Sequence, residues 1–223
     1  VRIRASGDSA AGLTATGLRL EGRATAELHD VTFEGPRRRA IEVADGATLR
    51  GENVVIRGVD TGVHQRGGKV RLVRSSVEAV ASMASTPQAP GGRSIGAGAE
   101  AAFFTAGASL SLHEVRTVGH AYGVLTGGDA DVEVEGLTVI GPRHAGLGIT
   151  RSRARLRRVS VSGFDRSGGG NFAGIQLVGS QVHLSDLELR DVGTLGVSQR
   201  GGTLVLERAT IVGVTGGADG TEG

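Results

Sequence analysis

Six polar side chains near the middle of this sequence have types and spacings suited to joint chemistry. Tyr122, His144 and Arg166 follow one another at intervals of 22 residues. Arg143 and Asp165 are separated by the same 22, and His120 precedes Tyr122 by two. If one turn of a stacked repeat takes 22 residues, each set falls in one column with about 4.8 Å between neighbours, and Arg143 meets Asp165. A phenol, an imidazole and a guanidinium in a row can bind a sugar bearing carboxylate or sulfate. They can also move a proton where the imidazole titrates near neutrality. Five of the six aromatics (Phe103, Phe104, Tyr122, Phe164 and Phe172) lie in the same stretch. Plain turn decoration is the competing account, because aromatics pin insertions and a histidine on an exposed turn is solvated. The candidate binding set is therefore Tyr122, His144, Arg166, Arg143, Asp165 and His120, with no catalytic residue assigned.

The elements that must hold these residues repeat along the chain. Ala130 to Thr150 shows one unit: two short alternating runs (Val132, Val134; Leu137, Val139), then Gly141, a variable turn, and a third run at Leu147 and Ile149. The second core residue of the first run recurs as Leu28, Gly51, Leu72, Leu112, Val134, Leu156, Leu184 and Leu206, at intervals of 23, 21, 40, 22, 22, 28 and 22. Five positions on come Phe33, Ile56, Val77, Thr117, Val139, Val161, Leu189 and Ile211. Seven on, glycine dominates, with Ala79 and Asp191 as exceptions. A recurrent glycine marks positive φ or a place without room for a side chain. Alternation of period two predicts strands buried on one face, and strands this short are stable only when copies stack.

The spacing predicts an all-β parallel β-helix of about nine coils of ~22 residues, three short strands per coil. Residues 1–223 read as one domain, with irregular first coils at 1–23, an insertion at 81–100, a second at 165–172 and a polar tail at 214–223. Leu18 and Leu20 read as the second strand of an early coil with Ala15 at its reference position. Only 13 residues then separate Ala15 from Leu28, so that coil is abbreviated or residues are missing near 22–24. The matching segments at 62–68 (GVHQRGG) and 196–202 (GVSQRGG) lie six intervals apart, which excludes a shared site and suggests shared ancestry of the repeat. Neither end shows a polar cap, and an open strand edge invites pairing, so more chain or another subunit is expected at one end at least.

Bulk properties exclude several classes. With 39 glycines, 39 % hydrophobic residues and no collagen triplet, the chain is neither fibrous nor disordered. A formal charge of +2 demands no nucleic-acid partner, and the absence of cysteine removes disulfides and thiolate metal sites. No apolar run approaches a membrane span. Lys69 is the only lysine among 25 basic residues, a bias that suits either a GC-rich genome or an anionic glycan or phosphate ligand.

The 22-residue, three-strand coil resembles the right-handed parallel β-helix proteins of the pectin-lyase-like group, and the resemblance lies in the repeat across nearly the whole chain. It implies a right-handed solenoid and leaves function open, because the fold serves lyases, epimerases, tailspikes and adhesins alike. The strings by which the hydrolases of this group are known (Asn-Thr-Asp, Asp-Asp, Gly-His-Gly) are missing, and Gly119-His120-Ala121 lacks acidic partners in register. Asp60, Asp129, Asp131 and Asp165 lie too far apart in the frame to supply the six to eight oxygens of a calcium site. A single methionine, Met83, argues against a copper ladder. No cofactor or metal is expected. The reading is a structural or interaction module of a secreted, periplasmic or cell-surface bacterial protein, presenting turns to a polysaccharide or protein partner. Its alternative is a carbohydrate-active enzyme of lyase or epimerase type.

Overall fold

The structure, a computed structural model, describes residues 2–4, 16–79, 100–164 and 173–214. Most of the first insertion, all of the second with Asp165 and Arg166, and the tail from 215 lie outside the described residues. In chain order the strands are β1 (Arg2–Arg4), β2 (Thr16–Leu20), β3 (Thr25–His29), β4 (Thr32–Ala44), β5 (Thr48–Glu52), β6 (Val55–Arg66), β7 (Lys69–Val73) and β8 (Ser76–Ala79). They continue as β9 (Ala101–Ala106), β10 (Ser109–Val118), β11 (Tyr122–Gly127), β12 (Asp131–Ile140), β13 (Ala145–Thr150), β14 (Arg153–Ser162), β15 (Ala173–Arg190) and β16 (Leu195–Val212). The pairings of adjacent coils are parallel, and the described residues contain no helix. The chain is a parallel β-solenoid of about eight coils of ~22 residues, against the nine expected.

Parallel neighbours need a connection of a dozen or more residues. Here the other two strands of each coil are that connection, which is why the period is near 22. The reference column is continuous in the register: Leu28, Gly51, Leu72, Leu112, Val134, Leu156, Leu184, Leu206. So is the column five residues on, from Phe33 to Ile211, and the 81–100 insertion is bridged without loss of register by Leu72↔Leu112 and Val77↔Thr117. Up to Leu184 and Leu189, short of their exposed last members Leu206 and Ile211, both columns line the core with a third, Ile41, Val63, Phe103, Val124, Leu147 and Ile175.

The recurrent glycines serve two purposes. Those seven past the reference adopt positive φ (Gly58 at 72°, Gly141 at 61°), and Asp191 copies them at 49°. Those opening the third strand are there for lack of space. A Cβ on Gly146 would stand 2.6 Å from both Val161 methyls and 2.7 Å from the Gly174 carbonyl oxygen, and Gly62, Gly123 and Gly174 are equally crowded. The pattern Gly-Val/Leu/Ile thus marks where third strand and second strand converge across a narrow interior.

Polar groups also enter that interior. Gln65, fully buried, donates from Nε2 to the carbonyls of Gly68 (3.1 Å) and Ser109 (2.9 Å) and accepts from Thr105 Oγ1 (3.1 Å). Gln199 closes its own turn in the same way, donating to Gly202 at 3.3 Å. The likeness of segments 62–68 and 196–202 therefore has a structural basis, a glutamine bridging its Gly-Gly turn.

One expectation is corrected at the N-terminal coils. Leu18 and Leu20 stack on Ile41 and Val43, in the third-strand column, while Ile3 takes the second-strand place on Phe33. Ten residues separate Leu18 from Leu28, as ten separate Ile41 from Gly51, so no residues are missing near 22–24. Period-two patterning cannot tell two strands of the same coil apart, which is why the sequence misplaced this one. At the other end Leu195, Val205, Leu206, Ile211, Val212 and Val214 are exposed.

Gly146→Ala is expected to destabilise the fold by about 1–3 kcal/mol through overpacking. Gly127→Ala, where a Cβ meets nothing within 4 Å, is expected to change stability by less than about 0.5 kcal/mol. Equal denaturant midpoints for the two variants would contradict the crowding argument.

Candidate ligand-binding site

Three successive coils build the corner between second and third strands. Glu100 immediately precedes β9, Tyr122 opens β11, and Arg143 and His144 lead into β13. Their backbones are tied across coils: Tyr122 N–H donates to the Glu100 carbonyl at 3.2 Å, Arg143 N–H to that of His120 at 3.1 Å, and His144 N–H to that of Ala121 at 2.9 Å. The Tyr122 ring lies over Gly148, whose missing side chain provides its seat. A Cβ there would stand 3.3 Å from Tyr122 Cδ1 and Cε1. The His144 ring tilts against it, with centroids 5.7 Å apart and planes at 49°.

Charge gathers beside these rings. The Arg143 guanidinium pairs with the Glu100 carboxylate. Burial, and then the charge of Glu100, push the Asp60 carboxyl above its usual range, while Arg38 and Arg143 pull the other way. Burial raises the Tyr122 hydroxyl. The His144 imidazole is lowered by partial burial and then by Arg143, with Glu100 opposing. At neutral pH the corner thus holds a neutral imidazole, a neutral phenol, an ion pair and a second carboxylate.

Two histidines are buried here. His120 is 2 % exposed, and burial is the main cause that lowers its pKa to about 4. The main chains of Val118 and Val59 favour its charged form, yet neither ring nitrogen reaches hydrogen-bond geometry with a partner. His64 is 3 % exposed and also lowered to about 4, by burial first and then by Arg39, Arg66 and Arg38. Its ring stacks on Phe104 at 4.8 Å and 13°. His64, Phe104, Leu125 and Gly148 form an outward column between two inward ones, and it is nonetheless largely covered.

Of the six residues singled out in the sequence, Tyr122 and His144 come into ring contact, His120 lies buried, and Arg143 faces Glu100. Asp165 and Arg166, and with them the Arg143–Asp165 pair, lie outside the described residues. The single-column count needs correcting, because Tyr122 stacks on Ala145 and not on His144. The turn after β12 is one residue longer than the turn after β10, so equal spacing in sequence is not equal height in the solenoid. Sequence reasoning passed over Glu100 because it stands at the edge of an insertion with no counterpart in other coils. Asp60 entered only as one of four aspartates too scattered for a calcium site. Among the described residues, no three His, Asp or Glu side chains gather as a metal site, and no helix is long and apolar enough to cross a membrane.

Fold and corner together define the class: a parallel β-solenoid with one mixed polar and aromatic turn region. Compared with protein-family models, curated proteins and solved structures, the chain gives no significant match.

The buried histidines make stability depend on pH. Their folded pKa values, about 4, lie below the unfolded value of about 6.5. Below pH 6.5 the unfolded chain therefore binds more protons, and stability falls progressively toward pH 4, by up to about 3 kcal/mol per histidine. The melting temperature should drop across that window, and a His64→Phe, His120→Leu variant should drop less. A melting temperature flat from pH 7 to about 4 would show that the imidazoles are not buried neutral.

Proposed function

We propose that this chain is a rigid interaction module whose second-to-third-strand corner binds a carbohydrate. The observation that carries the reading is the Tyr122–His144 ring pair, seated on Gly148 beside the Arg143–Glu100 ion pair and Asp60. A partly exposed ring offers its face to the C–H side of a sugar, while the adjacent guanidinium and carboxylates bond its hydroxyl or carboxylate groups. A solenoid braced by main-chain bonds on three faces holds these groups without ordering cost on binding. The proposal includes right-handed winding of the pectin-lyase-like type, with a secreted, periplasmic or cell-surface bacterial location suited to polysaccharide or protein partners.

A Tyr122→Ala, His144→Ala variant should bind glycans at least about tenfold more weakly than the parent, a loss of about 1.4 kcal/mol. Screening on a panel of neutral, uronate and sulfated glycans, followed by calorimetry, measures this; unchanged affinity of the folded variant would remove the site.

One observation favours an enzymatic second reading. Asp60, its carboxyl raised next to Glu100, has the character of a general acid–base group. A lyase would generate unsaturated ends from uronate polysaccharides, detectable by ultraviolet absorbance, and Asp60→Asn should abolish them. Absence of products across the panel leaves the binding reading alone.

A further inference from the structure

The outer face of the first-strand sheet carries two facing rows of opposite charge that the corner site does not use. On β12 the outward residues are Asp131, Glu133 and Glu135; on β14 they are Arg153, Arg155 and Arg157. The two rows are in register, Asp131↔Arg153, Glu133↔Arg155 and Glu135↔Arg157. Each alternates with buried core residues (Val132, Val134; Ala154, Leu156), so all six side chains leave the same face. Neighbouring rows would allow three ion pairs within one molecule, yet these do not form. Glu135 bonds Arg158 at 3.1 Å and His113 at 3.4 Å. Among the described residues, Asp131, Glu133, Arg153, Arg155 and Arg157 make no ion pair within 4.0 Å.

We propose that this face pairs with a second copy of the chain about a two-fold axis running along the strands between β12 and β14. Such an axis lays β12 of each copy over β14 of the other. Because the rows are already in register, Asp131 then faces Arg153, Glu133 faces Arg155 and Glu135 faces Arg157, twice over. This is the self-complementarity that an isologous interface requires. The flanking rows agree. The axis sets Ser109, Ser111 and His113 of β10 against Gln181, His183 and Ser185 of β15, with no like charges opposed. One position further along β10 and β15, Glu114 would approach Asp186. Both have positive φ, where the strand bends and its side-chain alternation breaks, and Asp186 is held by Arg208 at 2.5 Å.

Six rows of five residues cover about 17 Å by 29 Å, roughly 500 Å² per copy. Roughly 1,000 Å² in total belongs to weak, transient interfaces. The pairing is electrostatic, so it should weaken as the Debye length shrinks from about 30 Å at 0.01 M salt to about 3 Å at 1 M.

Sedimentation velocity on the whole chain tests this. The parent should dimerise reversibly at low salt and be monomeric at high salt. Glu133→Arg and Arg155→Glu should each be monomeric at low salt, because each opposes like charges twice. Mixed one to one, they should form a heterodimer. In it the two substituted side chains face each other with opposite charge, and the remaining pair is the native Glu133 with Arg155. That mixture also controls for folding. A parent monomeric at low salt, single variants that stay dimeric, or a mixture that stays monomeric would each overturn the proposal. A monomer retained on a sulfated polysaccharide and released by Arg155→Glu would overturn it too, assigning the arginine row to a polyanion.

Discussion

Every part of this molecule answers to one requirement: each strand's backbone groups must meet those of the coil before and the coil after. In a parallel stack the hydrogen bonds of a strand are supplied entirely by other coils. No coil can change its height, its strand length or its corner without disturbing two neighbours. The unbroken register through Leu28 to Leu206, carried past a 40-residue interval, shows that the sequence yields at its turns and leaves the strands alone. Insertions are tolerated where the backbone is already turning outward.

The same requirement sets the interior. Three strand faces enclose a narrow core, and where two converge there is space for a backbone hydrogen and little else. Third strands therefore open with glycine at Gly62, Gly123, Gly146 and Gly174, against the methyls of Val77, Val139, Val161 and Leu189. At the opposite corner, buried hydroxyls and an amide bond backbone groups or each other. Ser152 Oγ and Ser180 Oγ donate to the carbonyls of Thr150 (2.8 Å) and Val178 (2.9 Å), and Thr126 Oγ1 donates to Ser152 Oγ at 3.0 Å. Polar residues inside are acceptable because each finds a partner. Among the described residues, Thr117, His64, His120 and Arg143 are exceptions, each with a buried polar atom that finds none, although Arg143 is paired with Glu100 through its terminal nitrogen. Three of the four lie at or beside the candidate site.

The corner site follows from turns of unequal length on coils of equal height. The turn after β12 holds one residue more than the turn after β10, and that residue brings His144 onto Tyr122 instead of stacking it in line. The edge of the first insertion delivers Glu100 to Arg143. Chemical variety thus arises where the repeat is broken, while the repeat supplies a rigid base.

The repeat length, the parallel β-solenoid, the core columns and the glycine positions were all legible in the sequence, because stacking makes each coil a copy of the same geometric problem. Which strand Leu18 and Leu20 occupy was not, since two strands of one coil share one pattern of alternation. Nor were the partners at the corner. Equal spacing put Tyr122 in line with His144, but height in the solenoid depends on turn length, which no periodicity encodes. Whether His64 and His120 are surface or interior was likewise decided by tertiary structure, because an outward-facing position is buried only when something lies across it.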